Sequence, residues 1–443
     1  MKCPSSELLA LYGDMAPAAM FRSLQRQAGK TIRDGIFTAR LILWMMIVQR
    51  LEGGTLGQVL GQLRNGQFDT VLSRCKRARE HRIGSSTGGY CQARQKLPRS
   101  LVVCVVDDVI ERLRERLGVS QPGKPRLYVL DGSSIQLECT PDLVQSYAQP
   151  QNRHGASHFP VLKVVVAHEA ETGIAERPYS GPMYGAHAVS EQALAKLVIR
   201  NLPADAVIIA DRNFGVFSTA YDCQQGGIGI IVRLTAARVK RMHPGPICNS
   251  VDDPVEWRPS AFERRRHPEF PAEARVTGRL ICRQVGRGKK KQWIYLFTTA
   301  GAPAARIVEW YGKRWNIETD LRTLKQTIRL GRLTAQSADL VEKELLVAVL
   351  AYNFVRAVMC MAAQHRGISP RRLSFTYSCN YALASLGRIL SLSHPADRQK
   401  EIDRLILTVA ESCRLPNRSK RKSPGRAVWS RGYRFPLKKQ PQN

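Results

Sequence analysis

Acidic residues are the scarce component of this sequence. The chain of 443 residues contains 36 Asp and Glu against 68 Lys and Arg, so its formal net charge is +32 at pH 7. An excess of this size opposes a compact state by self-repulsion unless a polyanion is the usual partner. Nucleic acid is the first candidate for that partner, and an anionic membrane surface is the second.

Long hydrophobic runs are also missing. The apolar run from Leu41 to Val48 is flanked by arginines and is far too short for a bilayer, which takes about 20 residues to cross. Pro4, Glu7 and Asp14 interrupt the first residues, so they make a poor secretory signal. These features weaken the membrane alternative and predict an intracellular protein.

The cysteines lack any framework. There are 11, an odd number, scattered along the chain without a CxxC pair. This pattern excludes a regular disulfide scaffold and a typical zinc cage, and it indicates reduced thiols. With 44% hydrophobic and 23% charged residues, the chain has the composition of a folded protein.

Changes in hydrophobic period divide the chain into four regions. Residues 1–115 have apolar positions at helical spacing, and a Pro/Gly break follows. An α/β pattern covers 116–220 and 299–370, and the β-rich stretch 221–298 interrupts it. Residues 371–443 are predicted to form a helical region and a basic tail, which carries ten Lys or Arg and no acid between Arg414 and Lys439.

The α/β part predicts a mixed sheet. Segments 126–137 and 158–169 are predicted strands, and a short third strand follows. A helix capped by Ser190 covers 190–202, and a wholly apolar strand lies within 205–214. The order of three strands, helix and strand favours a mixed sheet covered by helices.

Two aspartates stand at strand ends. Asp131 follows the apolar start of the first strand, and Asp211 follows the apolar strand AVIIA. Open α/β sheets bind their ligands at the carboxyl ends of strands. An alternative interpretation is that each aspartate only caps a turn.

A third carboxylate lies on a predicted helix over 304–328. Tyr311, Arg314, Glu318 and Lys325 have a spacing that places them in one stripe at about 100° per residue. Asp320, on the opposite side, is predicted to face solvent. Alternatively, Arg314 and Glu318 form an exposed i,i+4 pair of little energetic weight. Three carboxylates gathered at one site need cations to compensate them, which indicates divalent metal.

The chain resembles the bacterial insertion-sequence transposases of the DDE class that carry the Y-R-E-K signature. The resemblance rests on DGS (131–133), ADRNF (210–214) and the pattern Y-x2-R-x3-E-x6-K from Tyr311 to Lys325. YCQARQKLP (90–98) and AYNFVRAVM (351–359) are also similar to this family. It implies an α/β, RNase H-like catalytic domain with a β-rich insertion between the second Asp and the Glu.

The resemblance also implies a catalytic triad. Asp131, Asp211 and Glu318 would be both the catalytic residues and the metal ligands, with Mg²⁺ as the cofactor and Mn²⁺ as a substitute. Two ions about 3.5–4 Å apart can activate a nucleophile and stabilise a leaving oxygen in phosphodiester displacement.

The expected partners are transposon ends and target DNA. Tyr311, Arg314 and Lys325 would contact the DNA backbone, and Trp293 would stack on a flipped base. An alternative for Trp293 is a place in the core. Residues 1–115 would bind DNA ends, and a homodimer or larger synaptic complex would act on DNA in the bacterial cytoplasm, at the nucleoid.

The predicted function is a DNA transposase that cleaves the ends of its element and joins each 3′-OH to target DNA. Two rivals stay open. One is an RNase H-like nuclease without strand transfer, and the other is a catalytically retired DNA-binding relative.

Overall fold

The computed structural model describes residues 35–117, 125–152, 155–245, 247, 249–286, 292–331 and 333–416. Most of the basic tail predicted beyond Arg414 lies outside these residues, as do residues 1–34. Every cysteine in the described ranges is a free thiol, in line with the sequence prediction.

The described chain begins with a series of helices. They are α1 (Ala39–Glu52), α2 (Leu56–Arg64), α3 (Lys76–Arg79), α4 (Gly88–Lys96) and α5 (Arg99–Leu117). Helix α1 starts where the Thr38 hydroxyl accepts a hydrogen bond from the Leu41 N–H, and it ends at Gly53 in the left-handed conformation. The helical N-terminal region predicted from the sequence is confirmed.

Ten strands follow in chain order. They are β1 (Arg126–Gln136), β2 (Gln151–Asn152), β3 (Gly155–Ala156), β4 (Val161–Glu169), β5 (Tyr179–Pro182), β6 (Ala206–Ala210), β7 (Gly229–Arg233), β8 (Val251–Trp257), β9 (Val276–Val285) and β10 (Gln292–Thr298). Apart from the small β2–β3 pair, the strands form one sheet in the order β5-β4-β1-β6-β7-β10-β9-β8.

Strand direction changes across this sheet. β1, β6 and β7 are parallel, and the other neighbours are antiparallel. All five residues of β6 are buried, as expected for a parallel strand with both faces covered. Pro254 lies on the edge strand β8, where a missing N–H is tolerated. The mixed α/β sheet predicted from the sequence is confirmed.

The β-rich stretch between Asp211 and Glu318 belongs to this same sheet. β7 continues the parallel part, and β10, β9 and β8 extend the sheet beyond it. The segment after Arg233, which resembles a strand in sequence, turns into a helix because the Thr235 side chain caps its N-terminus.

Helices cover the sheet and complete the chain. Within the α/β region these are α6 (Pro141–Ser146), α7 (Glu191–Ile199), α8 (Phe217–Gln225), α9 (Ala236–Met242), α10 (Ala261–Arg266), α11 (Ala304–Gly312) and α12 (Trp315–Gln326). The C-terminal helices are α13 (Ala338–Arg366), α14 (Phe375–Ser391) and α15 (Pro395–Ser412).

The prediction of one helix over 304–328 was wrong. The chain forms α11 and α12 instead, separated at Lys313 and Arg314. At this junction the N–H groups of Lys313 and Arg314 bond to carbonyls three residues earlier, as in a tighter 3₁₀ turn. Gly312 precedes the junction and lowers the local preference for regular helix.

Helix α13 is the centre of the helical part. It is long and apolar enough to cross a membrane by length and composition alone, yet its most apolar 18-residue window is completely buried. α1 and α5 pack against it from the N-terminal side, and α14 and α15 from the C-terminal side. The helices at both ends of the described chain therefore share one hydrophobic core.

Candidate active site

The sheet register brings Asp131 and Asp211 together. In the parallel pair β1–β6, Leu130 lies opposite Ala210. The residues that follow, Asp131 and Asp211, are therefore neighbours on adjacent strands, which are separated by about 4.8 Å. The prediction that Asp131 ends its strand was wrong, because β1 continues to Gln136 in its antiparallel pairing with β4. Asp211 does follow the last residue of β6. Their proximity depends on the parallel pairing.

Asp131 lies where negative charge is poorly compensated. Burial raises the pKa of Asp131 to about 6, although the Gly132 N–H donates to its Oδ1 at 2.8 Å. The charges of Asp211 and Glu191 raise this pKa further, while the Arg314 guanidinium opposes the increase. The site therefore favours a cation near Asp131.

Glu191 is a neighbouring carboxylate that the sequence prediction missed. A Cβ atom on Gly132 would lie 2.6 Å from the Glu191 carboxyl carbon, so glycine at 132 is required for this approach. The Asn213 backbone N–H donates to Asp211 Oδ1 at 2.8 Å, and the Asn213 side-chain amide donates to Glu191. Asn213 thus links the two carboxylates. In the sequence, Glu191 has only the appearance of a first-turn acid after the Ser190 cap.

Helix α12 brings Glu318 to this region together with Arg314. Arg314 Nη2 lies 3.2 Å from Glu318 Oε1. The same guanidinium lies over the Trp315 ring, 4.8 Å from its centroid, and Trp315 is 64% exposed. Glu318 is therefore linked to Asp131 through one cation, Arg314, which pairs with Glu318 and acts on Asp131.

Tyr311 is buried rather than presented to solvent. Its side chain is 7% exposed and packs in the core beneath α11. Burial raises the pKa of Tyr311, whereas Arg314, which is also a hydrogen-bond partner of the hydroxyl, lowers it. The buried Tyr311 hydroxyl therefore helps to hold the Arg314 side chain in place.

Lys325 also lies near the carboxylates. Burial lowers the pKa of the Lys325 ammonium, and the charge of Asp131 opposes this effect. The helix spacing separates Lys325 from Glu318, but the fold brings it within electrostatic range of Asp131.

Trp293 lies away from these residues. It is on β10, two strands from β6 in the sheet, and it is partly buried against the hydrophobic core. Its role in base stacking stays a prediction.

The prediction that Asp320 faces solvent was wrong. Asp320 is completely buried. It bonds to Arg356, and Arg371 Nη1 lies 2.7 and 2.8 Å from its two oxygens. Burial raises the pKa of Asp320, but the charges of Arg356 and Arg371 outweigh that effect and hold it below its usual value. This ion pair fastens α12 to α13 two residues after Glu318.

The donor chemistry fits a hard divalent cation, because the Asp131, Asp211, Glu191 and Glu318 side chains supply only oxygen. In the described parts of the chain, no group of three or more His, Cys, Asp or Glu side chains is placed closely enough to hold a metal ion. Glu318 forms an ion pair with Arg314 and is not grouped with the two aspartates. The undercompensated charge at Asp131 is the observation that favours a cation here.

Comparison with known proteins places this chain in a family. Residues 122–354, more than half of the chain, match the family model described as "Transposase DDE domain". The chain is 26% identical to transposase InsG for insertion sequence element IS4 of Escherichia coli (strain K12), over 97% of this chain and 93% of that protein. A solved piggyBac transposase synaptic complex with hairpin DNA is 13% identical, with a TM-score of 0.40, 95% of this chain covered and 86% of that one. The chain belongs to the family of transposases with a DDE domain, enzymes that bind and cleave DNA.

Proposed function

We propose that this transposase binds the terminal repeats of its own insertion sequence, cleaves the ends and joins each 3′-OH to target DNA. The observation that carries the proposal is the pair Asp131–Asp211, which the parallel pairing of β1 and β6 makes neighbours, with Glu318 linked to Asp131 through Arg314. Carboxylates at this site can bind the divalent metal that a DDE domain uses.

Asp131, Asp211 and Glu318 are the proposed metal ligands and catalytic residues. Mg²⁺ is the proposed ion, with Mn²⁺ as a substitute, because the donors are carboxylate oxygens. When bound, the metal would activate the attacking oxygen and stabilise the leaving oxygen at phosphorus. Glu191 adds negative charge next to Asp131 and is orientated by Asn213.

The cations at the site are the proposed DNA contacts. Arg314 and Lys325 would hold phosphates next to the scissile bond, since both act electrostatically on Asp131. Tyr311 would contribute by fixing Arg314. Trp315 offers an exposed ring for stacking against a base, and Trp293 remains a second candidate for that role.

We infer further that residues 1–115 recognise DNA ends, that 116–220 and 299–370 form the catalytic domain, and that 221–298 is its insertion. Residues 371–443 would add the C-terminal helices and the basic tail. Two ends must be joined, so a homodimer or a larger synaptic complex is the proposed active form, working at the bacterial nucleoid.

The direct test uses DNA that carries the element's own terminal repeats. Incubation with Mg²⁺ should give cleavage at the repeat boundary and, with added target DNA, joined products that sequencing can map. Cleavage without joined products would favour the nuclease alternative. Binding without cleavage in either Mg²⁺ or Mn²⁺ would favour a retired relative.

The variants Arg314→Ala and Lys325→Ala should be impaired at different steps, cleavage and DNA binding respectively. Arg314→Ala should slow single-turnover cleavage at saturating protein by about 100-fold, because it removes the cation that holds Glu318 near Asp131. Lys325→Ala should mainly weaken binding of end DNA, by about tenfold, through loss of one charged phosphate contact. Gel-shift affinity and cleavage are measured side by side. Normal binding combined with absent cleavage in Lys325→Ala would place Lys325 inside the chemical step instead.

The basic tail should contribute phosphate contacts. Truncation after Pro416 removes nine of the ten tail cations and retains every residue that the structure describes. The plot of log affinity against log salt should become shallower by several units, because each neutralised phosphate releases counterions with a slope of about 0.9. Gel shifts over a salt series measure this slope. An unchanged slope would mean that the tail makes no phosphate contacts.

A further inference from the structure

A basic cavity lies beside the candidate active site. It has a volume of about 540 Å³ and opens between the N-terminal helices and the end of α12. Arg50 and Arg94 line it on the N-terminal side, and Lys325 and Arg329 line it on the other. Lys325 is the residue that this cavity shares with the surroundings of Asp131. A DNA strand bound at the catalytic carboxylates would therefore reach the cavity next.

The charge of the cavity is strongly positive. Among the described lining residues, the four cations face one acid, Glu344, so the formal sum is 4 − 1, or +3. Glu344 is 3% exposed and is held by Arg50 Nη2 at 2.8 Å, Arg94 Nη1 at 3.4 Å and the Thr334 N–H at 3.2 Å. This buried acid fixes two of the guanidinium groups and neutralises only one charge. The excess favours an anionic ligand.

Close packing holds the basic side chains that line the cavity in place. A Cβ atom on Gly53 would overlap the Arg329 guanidinium, and Arg329 Nη1 donates to the Gly53 carbonyl oxygen at 3.0 Å. Arg50 Nη1 in turn donates to the Arg329 carbonyl oxygen at 3.3 Å. Gly53 has a φ of +66°, so both its backbone shape and this contact require glycine. Arg329, although exposed, is thereby held at the rim.

We propose that this cavity binds one nucleotide of the element-end DNA, with its phosphate at Arg329 and Lys325. A cavity of this size suits a single nucleotide. Guanidinium groups bind phosphate oxygens through paired, charge-assisted hydrogen bonds. Met46 and Val347 supply apolar wall for the base. The inference rests on the proposed function. It adds a second binding site for the DNA strand, next to the catalytic carboxylates.

The test measures affinity against DNA length. End duplexes are extended by one nucleotide at a time beyond the cleavage site, on each strand separately, and binding is measured by gel shift. Wild-type protein should gain about tenfold in affinity at the one length that fills the cavity, through the charged contacts to one phosphate. This increase in affinity at one DNA length is called the length step. Arg329→Ala and Arg329→Gln should lose the length step, and Arg329→Lys should keep part of it.

Arg366→Ala is the matched control. It removes the same charge from an exposed site on α13, 22 residues from Glu344, or about 33 Å along the helix, and it should keep the wild-type step. Equal losses for Arg329→Ala and Arg366→Ala at every length would overturn the proposal, since they would reflect net charge alone. A wild type without any step would overturn it too, even if that protein cleaves its ends normally. If it fails to cleave, the proposed function is wrong, whatever the length series shows.

The alternative ligand for this cavity is free inorganic phosphate. Inorganic phosphate is titrated into wild-type protein and Arg329→Ala at constant ionic strength, with intrinsic fluorescence as the signal. The fluorescence of both proteins should change only weakly with phosphate, and to a similar extent. If the two proteins differ in their response to phosphate while their DNA affinities agree at all lengths, the cavity is a site for a small anion and not for a nucleotide.

Discussion

Asp131→Asn and Asp211→Asn should each lower the rate of end cleavage by at least about a thousandfold. The loss of one carboxylate ligand removes several kcal/mol of stabilisation from the metal-assisted displacement, and about 1.4 kcal/mol corresponds to a factor of ten. Glu318→Gln should behave in the same way. Asparagine keeps the shape of aspartate and can still accept the Gly132 N–H bond, so the fold should remain. The rate is measured in single turnover with Mg²⁺ on DNA that carries the terminal repeats.

DNA affinity separates this effect from misfolding. All three variants should bind end DNA within a few-fold of wild type, because the phosphate contacts come from cations elsewhere at the site. Asp397→Asn, an exposed acid near the start of α15, serves as the control and should cleave normally. If any one of the three variants retains near-normal cleavage, that residue is not a metal ligand and the proposed triad is incorrect.

Asp320→Asn should destabilise the fold by about 3–5 kcal/mol. The substitution leaves the buried Arg356 guanidinium without its charged partner and replaces one of the two oxygens that accept from Arg371 with an NH2 donor. Loss of one partner from a buried pair has an effect of this size. Urea denaturation followed by circular dichroism measures the free energy of unfolding.

Glu309→Gln provides the comparison. It breaks an exposed i,i+3 pair with Arg306, so its effect should stay within about 1 kcal/mol. Equal stabilities of Asp320→Asn and Glu309→Gln would show that Asp320 does not hold α12 in place. Under conditions where Asp320→Asn is folded, slower cleavage with normal DNA affinity would indicate that this anchor also positions Glu318.

Local patterns in the sequence were sufficient for the type of fold and for singling out Asp131 and Asp211. The apolar stretches before Asp131 and Asp211 predicted two strands, and the structure makes the two aspartates neighbours, Asp131 within β1 and Asp211 directly after β6. The charge of +32 indicated DNA, and the family match agrees with that. These features are local or compositional, so they do not depend on how distant segments pack.

The sequence failed where distant segments meet. Helical spacing put Asp320 opposite Glu318 and hence toward solvent, but that side of α12 faces Arg356 on α13 and Arg371. A buried charge is acceptable there because two guanidinium groups far along the chain converge on it. A helical wheel describes the faces of one helix and contains no information about what covers each face.

The sequence by itself determined the two apolar strands around Asp131 and Asp211, the spacing of the signature residues and the excess of positive charge. Only the tertiary structure decided that Glu191 lies against Gly132, that Lys325 is close to Asp131, and that Arg50 and Arg329 meet at one cavity. The physical reason is that periodicity and capping act within a few residues. Desolvation and charge pairing depend instead on groups that only folding brings together.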